Sequence, residues 1–186
     1  MNKIILPLLF LILGSSNLKA QKYSVKESLY GIQTGVLGVW GYNELRLSDQ
    51  FTFRTELGFD AGLWGGTLYS NNVNFALIPA ITIEPRWYYN LKKRGKTGKN
   101  IWNNGANFLS LETSFYPDLF VISNESNVDV ASQIYFIPKW GIKRNLGKHF
   151  GYEVGIGAGY GTLLESKSSL DDGFTLDLHL RIGYNF

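Results

Sequence analysis

From about residue 21 onward the chain alternates in twos. In Phe51–Leu63 the odd positions are Phe51, Phe53, Thr55, Leu57, Phe59, Ala61 and Leu63, against Thr52, Arg54, Glu56, Gly58, Asp60 and Gly62 at the even ones. A side-chain period of two puts these sets on opposite faces of a strand. The same rule predicts strands over Phe75–Tyr89, Asn107–Tyr116, Asp129–Lys143, Phe150–Leu163 and Phe174–Phe186. In Phe150–Leu163 the polar face holds Glu153 and five glycines: Gly151, Gly155, Gly157, Gly159 and Gly161. Turn-forming clusters separate the runs at Ser48-Asp49-Gln50, Asn71-Asn72, Asn124–Asn127, Asn145–Lys148 and Asp171-Asp172-Gly173.

Tyr23–Leu47 is predicted to add a first hairpin, Lys26–Thr34 and Val36–Leu47, turning tightly near Gly35. A single long strand over Leu29–Leu47 is the other reading and leaves an odd count of seven. Closure with both ends on one side needs an even number, so the expectation is eight. One connector breaks the rhythm of short and long links: Leu91–Ala106, rich in Lys, Gly and Asn, is long where a short turn is expected.

Alternation alone suits both a soluble barrel and one turned inside out. The apolar faces carry so many Trp, Phe, Tyr, Leu and Ile residues that they would overfill a lumen of about eight strands. Turned outward, they form a belt. The polar faces then meet inside, bringing Glu44, Glu56, Asp60, Glu84, Glu112, Glu153 and Asp177 together with Arg46, Arg54, Arg86, Lys139, Lys143 and Arg181, and His179 beside them. Near balance of charge is what burial demands. Aromatics gather toward the strand ends, with Trp87, Tyr89, Trp140, Tyr152, Tyr184 and Phe186 at one rim and Trp64, Phe75, Phe115, Tyr160 and Phe174 at the other, as in interfacial girdles. The reading is an all-β fold, an antiparallel up-and-down transmembrane β-barrel of eight strands over residues 21–186.

Composition narrows the class further. The 186 residues include no Cys, 5 Trp, 11 Tyr and 12 Phe, with 18% charged residues. That excludes a disordered polyelectrolyte, a disulfide scaffold and a Cys-ligated zinc site. Residues 1–20 read as a secretory signal peptide: Lys3 in a basic start, Ile4–Leu13 apolar but too short to span, and a small, polar exit to Ala20. Removing Lys3 and Lys19 lowers the formal net charge of +3 by two, to +1, so no global basicity calls for nucleic acid.

Together with the leader and the alternation, the ending His179-Leu-Arg-Ile-Gly-Tyr-Asn-Phe186 makes the chain resemble the small outer-membrane β-barrel family. The resemblance covers residues 21–186. It implies location in the cell outer membrane after passage through the periplasm, contact with outer-membrane lipids, and a terminal assembly signal read by the barrel-assembly machinery, here Tyr184 and Phe186. Arg181 stands where that pattern often has Gly. A fold of this kind does not carry a function with it.

The charged sets Arg54/Glu56, Glu84/Arg86 and Asp177/His179/Arg181 can be read as catalytic motifs or as lumen ion pairs, and the second is the expectation. No catalytic, cofactor-binding or metal-binding residue is assigned. Lys92-Lys93-Arg94 with Lys96 and Lys99 is read as a solvated basic turn, with contact to anionic headgroups or peptidoglycan as the alternative. Pro79, Pro85 and Pro138 each remove a ladder donor inside a strand. Bulges account for them most economically, although prolines flanking a strand resemble the lateral openings of lipid-modifying barrels such as the lipid A palmitoyltransferase family. The function expected is a monomeric, charge-filled barrel with a structural or surface-interaction role, offering the loops Trp64–Asn74, Asp118–Val128 and Glu165–Gly173. The alternatives are a lipid-modifying outer-membrane enzyme, needing Ser, His and an acid at the outer rim, and a narrow pore, needing an unfilled lumen.

Overall fold

The computed structural model describes residues 23–65, 73–125, 128, 130–164 and 173–186. The predicted signal peptide, residues 1–20, lies outside the described residues, as do 66–72, 126–127 and 165–172 of the three predicted loops. The described residues form nine strands: β1 (Ser28–Gly35), β2 (Gly38–Arg46), β3 (Phe51–Gly65), β4 (Val73–Trp87), β5 (Asn107–Tyr116), β6 (Ile122–Ser123), β7 (Gln133–Leu146), β8 (Phe150–Leu163) and β9 (Gly173–Asn185). Eight of them close a ring. Each pairs antiparallel with its sequence neighbour, β5 with β7, and the ring is shut by β1 against β9. The two-residue β6 lies outside the ring order and pairs with β4 at Ala76 and Leu77, beyond the end of β5.

The first hairpin resolves in favour of two strands. Gly35 faces Gly38 across a two-residue turn, Val36-Leu37. Gly38 sits at φ +150°, a conformation that side chains resist, and a Cβ there would collide with the Trp40 ring. β7 starts four residues later than the alternation suggested and ends three later, because Asn145 and Leu146 still pair with Gly151 and Phe150.

The period-two reading holds strand after strand. Outward on β9, Leu178 is 79% exposed, with Phe174, Leu176, Leu180 and Ile182 also open; inward, Arg54, Arg86 and Glu153 are fully enclosed. The glycine face of β8 makes that wall thin on the inside: a Cβ at Gly157 would lie 2.6 Å from Ile137 Cγ2. Room is thereby left for the long side chains of β7.

The ends differ. The proximal end carries Tyr23 and Phe186, the turns 47–50 and 147–149, and the connector 91–106. The connector is not a solvated turn, contrary to the sequence expectation. It folds as helix α1 (Leu91–Lys96) and a 3-10 turn (Trp102–Asn104), and closes the barrel end as a cap. Val25, Tyr88, Leu91, Ala106 and Phe108 form an apolar cluster beneath it. Asn103 and Asn104 are buried with φ of 46° and 63°, a region Asn tolerates better than most residues. Asn104 accepts from the Lys26 backbone N–H at 2.7 Å and donates to Glu44 at 2.8 Å. Of the basic residues, Lys92 pairs with Asp49 at 2.8 Å and Arg94 donates to the carbonyls of Gly105 and Asn100, while Lys93, Lys96 and Lys99 remain exposed.

A candidate site in the barrel interior

Strand register lines up the charges. Glu44, Arg54 and Glu84 face one another across β2, β3 and β4; Lys143, Glu153 and Arg181 do so across β7, β8 and β9. Two same-strand pairs add to these, since residues two apart share a face: Arg54 with Glu56, and Arg86 with Glu84 at 2.6 Å.

Glu153 is the hub. Its carboxylate meets Arg54 at 3.1 Å, Arg86 at 3.0 Å, Lys143 at 3.4 Å and His179 at 3.3 Å. Arg54 also donates to Gln33 at 2.6 Å and lies 3.7 Å above the Tyr42 ring, while Arg86 lies over Phe108 at 4.3 Å. Glu44 accepts from Thr52, Tyr88 and Asn104, and meets Lys143 at 3.0 Å. Burial and the Glu44 carboxylate push the Tyr88 phenol well above its usual range, so it serves as a donor. Side chains from all parts of the ring thus fill the proximal half of the lumen.

Arg46 is the predicted network residue that stands apart. At the end of β2 it reaches outward to Glu27 at 2.6 Å, on a carboxylate that is mostly exposed. Among described inward positions, seven carboxylates (Glu44, Glu56, Asp60, Glu84, Glu112, Glu153, Asp177) therefore face five bases (Arg54, Arg86, Lys139, Lys143, Arg181).

The surplus lies in the distal half. Arg181 pairs with Glu56 at 2.6 Å and stacks on Trp40 at 3.7 Å. Among the described residues, the hydrogen-bonding partners of Asp60 are neutral, Trp40 at 2.6 Å and the Tyr116 hydroxyl. Lys139 is shared between Glu112 and Asp177, the latter at 2.7 Å without a well-directed hydrogen bond. Glu112, Asp177 and His179 offer ligand atoms within 4.8 Å of one another, yet Lys139 contacts all three, reaching His179 Nδ1 at 3.3 Å. The ammonium occupies the place a metal ion would need.

His179 uses its other nitrogen on Glu153, so its hydrogen-bonding partners are Lys139 and Glu153 and no hydroxyl. Ser114 instead bonds Thr82 at 2.8 Å and Glu112 at 3.2 Å. Among the described residues, no Ser, His and acid relay forms around His179. His149 stacks on Tyr184 at 5.2 Å, away from the interior.

Above these groups lies a cavity of about 330 Å³, bounded by Trp40, Asp60, Tyr116, Asp177 and Arg181 and by the hairpin tip Val36-Leu37. The barrel rim dips beside it. β1 pairs with β9 only from Gly31–Asn185 to Gly35–Arg181, and β2 reaches β3 only as far as Gly38–Asp60, with one more bond from the Ala61 N–H to the Leu37 carbonyl. Beyond that, among the described residues, nothing pairs with the β1-side edge of 173–180 or the β2-side edge of 62–65. That leaves about 25 Å of unpaired strand on one side of the notch and about 13 Å on the other.

The prolines do not mark this opening. β3 pairs with β4 straight through Pro79 and Pro85, and the β4–β5 and β7–β8 ladders skip only short stretches, at 84–85 and 137–138, before resuming. Beyond β5, β6 covers β4, with Asn124 and Ser123 bonding the Phe75 backbone. The first hairpin, shorter than its neighbours, creates the notch instead. Sequence reasoning missed it, although the signal was the unusual turn: Val36, 74% exposed, and Leu37 stand where turn chemistry usually places polar residues.

No family model, curated protein or solved structure matches the chain.

Proposed function

We propose that the protein is an integral outer-membrane barrel whose interior is locked by ion pairs, with a structural or surface-interaction role rather than a conducting one. The observation that carries this reading is the reversal of polarity across the wall. Leu176, Leu178, Leu180 and Ile182 stand open on the outside while Arg54, Arg86, Glu44 and Glu153 are sealed within. An exposed apolar face of this extent is unfavourable in water and favourable in hydrocarbon, and a closed ladder satisfies the backbone there. Aromatic contacts at the proximal rim fit an interfacial girdle: Phe51 stacks on Trp87 at 5.8 Å, Trp140 donates to the Tyr89 hydroxyl at 3.0 Å, and Tyr184 meets Phe186 at 5.3 Å. In this reading the proximal cap faces the periplasm, and the outward Tyr184–Phe186 pair is the element met by the barrel-assembly machinery.

The filled cross-section at Glu153 favours a plug over a pore. Fractionation tests the proposal: the protein should remain with the outer membrane after alkaline extraction and migrate faster on gels unheated than heated. Recovery in the soluble periplasmic fraction would contradict it. Planar-bilayer recording tests the plug, with steady conductance as the contradicting result.

A further inference from the structure

We propose that the distal cavity binds a single-chain amphiphile with a cationic amine head, admitted sideways through the notch between β9 and β3. The inference rests on the membrane reading above and adds to it a ligand class and a route. Among the described residues, the rim falls to the level of Gly35–Arg181 between two strands that continue beyond it, and there the cavity opens through the wall as well as along the axis. Unpaired strand edges are tolerated at membrane depth where they border a polar cavity, and this notch borders one. Its sill is apolar: Val36 and Leu37 form the turn, and Leu178 and Leu180 flank it, a path suited to an alkyl chain.

The head is specified by charge. Among the described residues, the interior carboxylates exceed the bases by two, and the least compensated of them lie at the cavity: Asp60 is hydrogen-bonded only by neutral donors, and Asp177 shares a single lysine with Glu112. Arg181, the base lining the space, is committed to Glu56 and Trp40. An ammonium entering here meets two carboxylates able to receive it, whereas a phosphate meets the same two as repulsion. The volume, about 330 Å³, is at the small end of ligand sites, enough for a head and part of one chain.

Trp40 lines the cavity and reports occupancy. The test uses the full barrel reconstituted in phosphatidylcholine vesicles, titrated with a dibrominated octadecylamine and, separately, the matching octadecyl phosphate, both of which partition into the bilayer and quench tryptophan on contact. The expected result is saturable quenching by the amine, absent in Trp40→Phe, with half-saturation at about tenfold lower mole fraction than for the phosphate. Asp177→Asn should raise the amine's half-saturation about fivefold and lower the phosphate's, because one of the two repelling charges is gone. Thr175→Phe, which fills the cavity without altering charge, should abolish the saturable phase for both, with folding verified by gel mobility. Linear quenching identical for the two heads would overturn the site, and saturation favouring the phosphate would overturn the head assignment. Failure of the wild-type chain to float with the vesicles would overturn the membrane reading itself, and the lateral route with it.

Discussion

At the scale of single residues, Glu153 and Arg46 separate what burial does to a charge. Glu153 is enclosed and compensates Arg54 and Arg86 together with Lys143. Replacing it with Leu strands buried guanidinium charge, and the expected loss is about 3–5 kcal/mol in urea unfolding of the detergent-refolded barrel. Arg46→Ala removes an ion pair whose Glu27 side chain is 81% exposed. Its expected cost is under about 1 kcal/mol in the same titration. Equal losses would mean that the central network stabilises no more than a surface pair. Asn104 gives a third case, because its amide bridges the Lys26 backbone and Glu44 at a fully enclosed position. Asn104→Ala should cost about 1–3 kcal/mol, the penalty for orphaning buried partners.

Among the elements, β9 offers the clearest contrast between faces. Leu178→Arg places a charge on the outer wall and should impair insertion by about 2–4 kcal/mol near the midplane. Thr175→Arg, facing the cavity, should cost less. The comparison is made by refolding yield into vesicles, and the reverse order would invert the inside and outside assignments. β9 was legible in sequence because its whole pattern is local: every second residue changes character, and a strand needs no further information. The cap over 91–106 was not legible. Its reason for existing is the fit of Leu91 against Val25 and Tyr88 and of Asn104 against Glu44, partners up to 66 residues away that no local period encodes. Its lysines and glycines read as a solvated turn, and three of those lysines are indeed exposed while the apolar residues between them close the barrel. The charge network lay between these extremes. Its members could be placed on the inner face by parity, but which of them meet depends on strand stagger, which brought Lys143 to the centre and left Arg46 at the rim.

For the molecule as a whole, the account is of a barrel with an apolar outer wall, a proximal half filled by ion pairs and capped by its longest described connector, and a distal half that keeps a cavity and a notched rim. The most direct test of the inside-out wall is site-directed spin labelling along β9. With no native cysteine, single Cys substitutions from Phe174 to Ile182 each report one position. In phospholipid bilayers the expected pattern has a period of two: labels at 174, 176, 178, 180 and 182 are accessible to membrane-dissolved oxygen and shielded from a water-soluble nickel complex, while those between them lack the oxygen accessibility. Even-numbered positions that are open to the nickel complex, or no alternation at all, would contradict the account.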